Sequence, residues 1–452
     1  MLNKANGTMQ ENPSPGAFEQ LNNWFTRSIT VKLIIIVFLA LILLIPASMV
    51  QGIINERESK QSYAAESISN EWASEQNVAG PVLTVPVAVI NPDGSKQWTN
   101  YVHLLPDDLV IDGNVAPQSL HRGIYDAVVY TTALDIKATF DLSKLNSEIQ
   151  DIKGTPDWQK AYFAVGISDL RGVKDNILVA VNNNNITAKA GVAKESPIHH
   201  GVSVPFKDVK IDSNGKFTVQ YKLALQGSQM LEFQPLGNTT NIEIRSKWTN
   251  PSFTGAFLPD ERVINDQGFA ANWRVLELNR NFPQTWKNDE YNIGLDESAF
   301  GITLMTGPDD YQKSMRSVKY AILTIGLTFL LFFLFEIMNK RRMHPFQYIL
   351  VGLALCLFYI LLISLSEQMA FNLAYIISSM TIILMITLYS RTVFPKWRSS
   401  GILAIILIAL YTYLFVTIQI SDYALLLGSL GLTLMLAVTM YATRKIKWYG
   451  NE

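Results

Sequence analysis

One cysteine, Cys356, stands among 452 residues, so no intramolecular disulfide can staple this fold and no Cys-x-x-Cys redox or metal motif exists. Histidine is scarce as well, with His103, His121, His199, His200 and His344 the whole supply. No His-Glu-x-x-His, no Gly-x-Ser-x-Gly and no glycine-rich phosphate loop occurs, so the usual zinc-hydrolase, serine-hydrolase and nucleotide signatures are missing. His199 and His200 are adjacent, and neighbours on a strand point to opposite faces, which favours a plain loop pair over a shared metal. The expectation is a non-enzymatic protein with no metal and no cofactor. A net charge of −1 also leaves no basic excess for nucleic acid.

What the chain has instead is long apolar runs. Leu33–Ile54 is one, with Pro46 inside it, where it should bend or loosen a helix. Val318–Met338, Phe346–Ser364, Phe371–Tyr389, Ile402–Ile420 and Tyr423–Tyr441 are five more. Each is close to the ~20 residues that cross ~30 Å of hydrocarbon, and none has the polar face of a soluble core helix. A cleaved signal peptide is the competing reading of the first run, but the run is too long and Pro46-Ala47-Ser48-Met49 is a poor cleavage site. Phe18, Leu21, Trp24, Phe25 and Ile29 recur at spacings of three and four, consistent with an interfacial helix or a simple lead-in to the span.

The joints between the runs alternate in charge. Lys340, Arg341 and Arg342, then Arg391, Lys396 and Arg398, then Arg444, Lys445 and Lys447 mark three basic joints. The other two carry only Glu367 and Asp422. Basic loops stay in the cytoplasm, so both termini are expected there and residues 55–317 outside it. That middle segment holds 32 acidic and 24 basic residues. Lacking cysteine, it suits a bacterial periplasm, where a core of this size needs no disulfides.

Short strand-like runs separated by turn signals fill the segment. Val82–Ile90, Lys96–Leu105, Leu109–Val115, Tyr125–Asp135, Phe217–Leu225, Asn241–Trp248 and Phe269–Leu278 are among them. With no helical period recognised between them, they predict one β-sandwich or two stacked ones. Val181–Ala188, with four consecutive asparagines, reads as a loop or an exposed edge. The fold class is therefore an α+β membrane protein with six transmembrane helices, one N-terminal and five C-terminal, plus a large all-β periplasmic domain. Its expected limits are a tail at 1–30, a span at 31–54, the β domain at 55–317, the helical block at 318–443 and a tail at 444–452.

Intramembrane charge is nearly absent. Glu336 is the one acidic residue inside a run, four before Lys340, and an i,i+4 pair accounts for it. Ser378-Ser379 and Gly428-Ser429-Leu430-Gly431 offer small residues for close helix packing. Outside the membrane, Gly227–Pro283 is the richest stretch. Trp248, Pro251, Phe253, Phe257, Pro259 and Trp273 give apolar walls to a candidate binding groove, and Arg280 an anion contact. The same aromatics equally suit the sandwich core.

These residues also carry a resemblance. Trp248–Pro259, Gly268–Trp273 with Asn279-Arg280, Gly80-Pro81-Val82-Leu83, and the ending from Asp422-Tyr423-Ala424 through Met440-Tyr441-Ala442-Thr443-Arg444-Lys445 to Trp448-Tyr449 resemble the CreD family. These are bacterial inner membrane proteins linked to cell-envelope integrity. The resemblance implies a Gram-negative inner membrane, a periplasmic domain and expression under an envelope-responsive two-component system, and it supplies no catalytic residues. Together the readings point to an envelope-integrity or stress-response protein. The bilayer surrounds its spans, and a periplasmic protein, glycan or lipid is the partner of its β domain. A transporter or lipid-handling protein gated by that domain is the alternative, and a carboxylate-pair hydrolase ranks third.

Overall fold

The computed structural model describes residues 29–90, 96–182, 184–206, 215–289, 291–304, 310–339, 341, 343–394, 396–420 and 423–444. Residues 18–28 of the expected interfacial helix, the turn at 91–94 and Lys340 lie outside that set. The chain divides into two compact units, Lys60–Gly307 and Met1–Ser59 with Pro308–Glu452. The first apolar run forms α1 (Ile29–Ile42) and α2 (Leu44–Trp72). Pro46 has no N–H to offer the carbonyl four residues back, and the helix is interrupted at Leu43. There the Cys356 thiol donates to the Leu43 carbonyl at 3.7 Å.

The β unit begins with β1 (Gln76–Ile90), β2 (Lys96–Leu104), β3 (Asp108–Arg122), β4 (Tyr125–Asp141) and the helix α3 (Ser143–Ile152). Then come β5 (Thr155–Pro156), β6 (Tyr162–Ile167), β7 (Leu178–Val181), β8 (Asn184–Thr187), β9 (Lys189–Ala190), β10 (Gly201–Pro205) and β11 (Lys216–Ser228). It ends with β12 (Met230–Phe233), β13 (Thr239–Ser246), β14 (Pro251–Gly255), β15 (Glu261–Asn265), β16 (Gly268–Leu276), β17 (Thr285–Lys287), the short helix α4 (Asn292–Glu297) and β18 (Phe300–Leu304).

These strands make two sheets. The first runs β14-β18-β12-β1-β6-β10-β9, with β2 and β5 also paired to β1 and β17 to β2. The second runs β15-β16-β13-β3-β4-β11-β7-β8. Pairing is antiparallel except for β1 with β12 and β3 with β13. Alternation explains the layering, since Leu134, Ile136, Ala138 and Phe140 of β4 point inward with Phe217, Val219, Tyr221 and Leu223 of β11. Phe140 stacks on Phe217 at 5.2 Å and meets Phe163 of the other sheet at 5.6 Å. One continuous apolar core joins both sheets, so the unit is a single sandwich.

Several elements depart from the sequence expectation. β1 starts at Gln76, ahead of the predicted Val82, and runs straight through Gly80-Pro81; Gly80 takes φ +99° at a shift in register. β4 runs on past the predicted Asp135 with Ile136, Ala138 and Phe140 still in the core, and β3 is longer because its far end, paired with the start of β4, continues past the core. There Leu120, Ala127 and Val129 cover Ile68 and Trp72 from the end of α2. The asparagine-rich segment is the β7–β8 hairpin at a sheet edge. The helix α3 was not anticipated, although Leu142, Leu145, Ile149 and Ile152 have its three-four spacing and pack on the core.

The second unit contains α5 (Asp310–Lys319), α6 (Ala321–Met338), α7 (Pro345–Ser366), α8 (Phe371–Val393), α9 (Trp397–Gln419) and α10 (Ala424–Thr443). Among the described residues five helical segments are long and apolar enough to cross a membrane, one near the N-terminus and α6 to α9. The sixth apolar run is the 20-residue α10. Lys319, which the sequence placed at the start of a span, instead closes the polar α5.

Glu336 has a partner that the sequence did not point to. Lys32 of α1 pairs with its carboxylate and donates to the Met343 carbonyl at 2.8 Å, while the Tyr348 hydroxyl donates to Glu336 at 3.0 Å. Arg57 of α2 lies 3.4 Å from Glu367 at the C-terminal end of α7. From Lys32 to Arg57 is roughly 38 Å of helix at ~1.5 Å per residue, close to a bilayer with its interfaces. Gly431 of α10 faces the Tyr413 ring, and the Tyr413 hydroxyl donates to the Leu427 carbonyl. At that glycine the small side chain serves packing.

Two predictions follow from buried polar groups. Lys32→Met strands the Glu336 carboxylate and should cost about 3–5 kcal/mol, while Lys32→Met with Glu336→Met should recover most of it. Thermal unfolding in detergent reads both, and a double variant no better than the single would refute the pairing. In the β unit, His103 is fully buried, its Nε2–H donating to the Asn288 carbonyl at 3.1 Å and its Nδ1 accepting from the Thr84 hydroxyl at 3.0 Å. Burial pushes the imidazole down to about 4, partly opposed by that Asn288 bond and the Asp289 charge. The unfolded chain takes up this proton near pH 6.5 and the folded one near 4. Stability is therefore complete above pH 6.5 and falls toward pH 4 by up to about 3 kcal/mol. His103→Gln should flatten the denaturant midpoint across that window, followed by tryptophan fluorescence.

Candidate functional site

Between Ser246 and Gly268 the chain leaves one sheet, borders the other and returns. β13 lies inside the second sheet; β14 then crosses to the edge of the first, pairing with β18; β15 comes back to the edge of the second, pairing with β16. Gly255, at φ +94°, allows the exit from β14, because any Cβ there would run into the backbone of Ala299 and Phe300.

The aromatics fill the seam between those two edges. Phe253 meets Phe269 at 6.0 Å and Trp273 at 5.8 Å, both edge-on; Phe257 meets Phe300 at 5.6 Å; Trp273 lies 5.9 Å from Phe300. Edge-to-face pairs of this kind add about 0.5–1.5 kcal/mol each to plain burial. Trp273 is buried and its Nε1–H donates to the Phe257 carbonyl at 3.3 Å. Trp248, Phe253 and Phe257 are half-buried on the same core, and Pro251 and Pro259 are half-exposed beside them. The structure thus gathers Phe253, Phe257 and Trp273 into one cluster whose inner side is core and whose outer side reaches solvent.

Arg280 has a separate set of contacts. It follows a 3-10 turn at Glu277–Asn279, is only 8% exposed, stacks 4.5 Å from the Phe282 ring and donates to Gln284. Gln284 in turn donates to the Pro106 carbonyl at 2.8 Å. The Arg280 Nε and Nη1 groups have no partner among the described residues. Burial lowers the guanidinium to about 10, with the Glu277 charge opposing, so it remains a cation at neutral pH. A buried cation with two unfilled donors is ready to take an oxygen acceptor.

Sequence reasoning missed the edge next to the seam. All five residues of β15 are exposed, with Val263 at 61% and Ile264 at 47%, and Leu258 just before them is at 64%. One side of β15 pairs with β16, and among the described residues its other side is the free edge of the sheet. Adjoining it on the sheet surface is a cavity of about 470 Å³ with Asp112, Glu243, Asp260, Glu261 and Arg274 in its wall. Natural edges are usually guarded by charge, proline or a bulge, and Val263-Ile264 is an apolar pair on an open one. The signal was present as an apolar pair between charged residues, but nothing in the sequence marks a strand as an edge.

The fold defines a class: a multi-pass α-helical membrane protein carrying a large two-sheet β unit. The family model of the inner membrane protein CreD matches residues 28–449. The chain is 32% identical to the inner membrane protein CreD of Escherichia coli (strain K12) over 416 residues, covering 91% of each protein. It belongs to the CreD family and is an inner-membrane protein, as the motifs at Trp248–Pro259 and in the last helix implied.

Core and rim should separate on substitution. Trp273→Ala is expected to cost about 3–5 kcal/mol of β-unit stability, and Val263→Ala about 0.5 kcal/mol or less. Chemical denaturation of the purified protein measures both, and comparable losses would place Val263 inside the packed structure.

Proposed function

We propose that this CreD-family protein serves cell-envelope integrity as a non-enzymatic binding protein. Residues 55–317 face the periplasm, six helices cross the inner membrane and both termini are cytoplasmic. The β unit captures an extended segment of a periplasmic protein along β15. One observation carries the reading: an open sheet edge with Leu258, Val263 and Ile264 exposed beside the aromatic seam. Strand addition satisfies free backbone groups of such an edge while alternate side chains give specificity. Asp260 and Glu261 in the wall of the neighbouring cavity, where Asp112 and Glu243 are paired with Arg245, favour a segment with basic side chains. The three basic joints of the membrane unit support the orientation.

Alternating photoreactive residues at Phe257 and Val263 in living cells, followed by mass spectrometry, should yield one discrete protein adduct. Val263→Asp with Ile264→Asp should abolish it and the tolerance of envelope stress at unchanged protein level. Full tolerance in that double variant would sink the reading, and a glycan or lipid adduct would change the partner class.

A second reading, a transporter or lipid-handling protein, is favoured by buried polar atoms without partners among the described residues at Thr328, Ser378 and Tyr411 in the helical unit. Cysteine scanning along α6, α8 and α9 tests it, since a transport path would be labelled from both sides of the membrane.

A further inference from the structure

The joint between α8 and α9 in the membrane unit is short and held in place. Phe394 is buried with its ring 6.2 Å from that of Phe335. Its N–H donates to the Ser390 carbonyl at 2.7 Å, and its own carbonyl accepts from the Ser400 hydroxyl at 3.4 Å. The Ser399 hydroxyl donates to the Asn339 side-chain oxygen at 3.1 Å, tying the start of α9 to the end of α6. On this frame the Arg391 guanidinium lies 4.0 Å from the centre of the Trp397 ring.

Stacking engages the face of a guanidinium and leaves the N–H groups of its edge for an oxygen acceptor, in the fork that suits phosphate. Arg391, Lys396 and Arg398 are all exposed, and among the described residues no carboxylate pairs with any of them. Elsewhere in the same unit Lys32 and Arg57 each meet a glutamate. The cations of this joint thus have no counter-charge within the described protein.

An apolar stripe leads to the joint along each helix. On α8, Met380, Leu384 and Leu388 are exposed at spacings of four, and Arg391 is the next position on that face. On α9, Arg398 is followed by exposed Ile402, Ile405 and Ile408 at spacings of four and three. The two helices pack side by side. Trp397, 70% exposed, has the amphipathic ring that settles at the level of lipid headgroups.

We infer that the α8–α9 joint binds an anionic phospholipid, its phosphate on the free edge of Arg391 and its acyl chains along the apolar stripes. Lys396 and Arg398 add attraction for a headgroup of net negative charge. A zwitterionic headgroup brings its own cation, for which the joint has no carboxylate. A free phosphate would use the guanidinium and leave the stripes idle. The site rests neither on the β15 edge nor on a transport path.

Native mass spectrometry of the full-length protein in detergent, titrated with dioleoylphosphatidylglycerol or dioleoylphosphatidylethanolamine, is the test. Phosphatidylglycerol should bind about fivefold more tightly or better, and Arg391→Gln should remove most of that preference. Arg391→Lys keeps the charge without the planar fork and should not restore it. Trp397→Leu, which frees the guanidinium, should lower the preference as well. Thermal unfolding should stay unchanged in the Arg391 variants, because this side chain is exposed and lies at a helix end. Equal binding of the two lipids, or full preference in Arg391→Gln, would overturn the inference. Full preference in Arg391→Lys would overturn the stacked fork, and displacement of phosphatidylglycerol by millimolar inorganic phosphate would overturn the role of the stripes.

Discussion

The membrane unit depends on a salt bridge between residues 304 positions apart. Lys32 and Glu336 meet where Tyr348 and the Met343 carbonyl complete the set of partners. In sequence the whole β unit intervenes between the first apolar helix and the rest, so no short connection brings α1 to α6 and α7. Apolar packing in lipid gives little preference for one neighbour over another, because lipid tails are as apolar as leucine. A charged pair does discriminate, since neither ion is tolerable there alone. Lys32–Glu336, with Arg57–Glu367 further along, fixes which helices the N-terminal segment joins and at what height. Gly352 reinforces it, lying against Leu43 where a larger residue would collide.

The β unit solves a different problem, that of covering two sheet edges. At β7–β8 the edge is polar and asparagine-rich, which suits water. Opposite, the chain crosses from sheet to sheet through β14 and packs Phe253, Phe257 and Trp273 into the gap. The crossing closes the core but leaves β15 outermost. Apolar residues survive there because their neighbours Glu261, Arg262 and Asp260 are charged, yet Val263 and Ile264 remain uncovered. Closure and an open apolar edge therefore come from one short segment, and the same segment carries the family resemblance.

How much could be read in advance varies by element. Apolar run length identified the helices, and Pro46 located the break at Leu43. Alternation identified β4, β11, β13 and β16, because each has one face in the core. The extension of β3 was not legible, since beyond the core the pattern that marks a strand fades; that of β4 keeps its alternation through Ile136, Ala138 and Phe140, where the prediction stopped short. For the aromatic stretch the sequence offered groove or core, and the structure makes the inner side of the cluster core and leaves its outer side at the surface. Arg280 was read as an anion contact; the structure adds that it is buried on Phe282.

Local chemistry is what the sequence determined by itself: hydrophobic length, strand periodicity, basic joints, absent catalytic motifs and family membership. Each depends on residues a few positions apart, so a linear reading suffices. Tertiary structure alone decided the partner of Glu336, the neutral environment of His103, the burial of Arg280 on Phe282 and the open edge at β15. These depend on residues tens to hundreds of positions apart arriving at one place. Burial and hydrogen-bond satisfaction are properties of that arrival, and no local pattern records them.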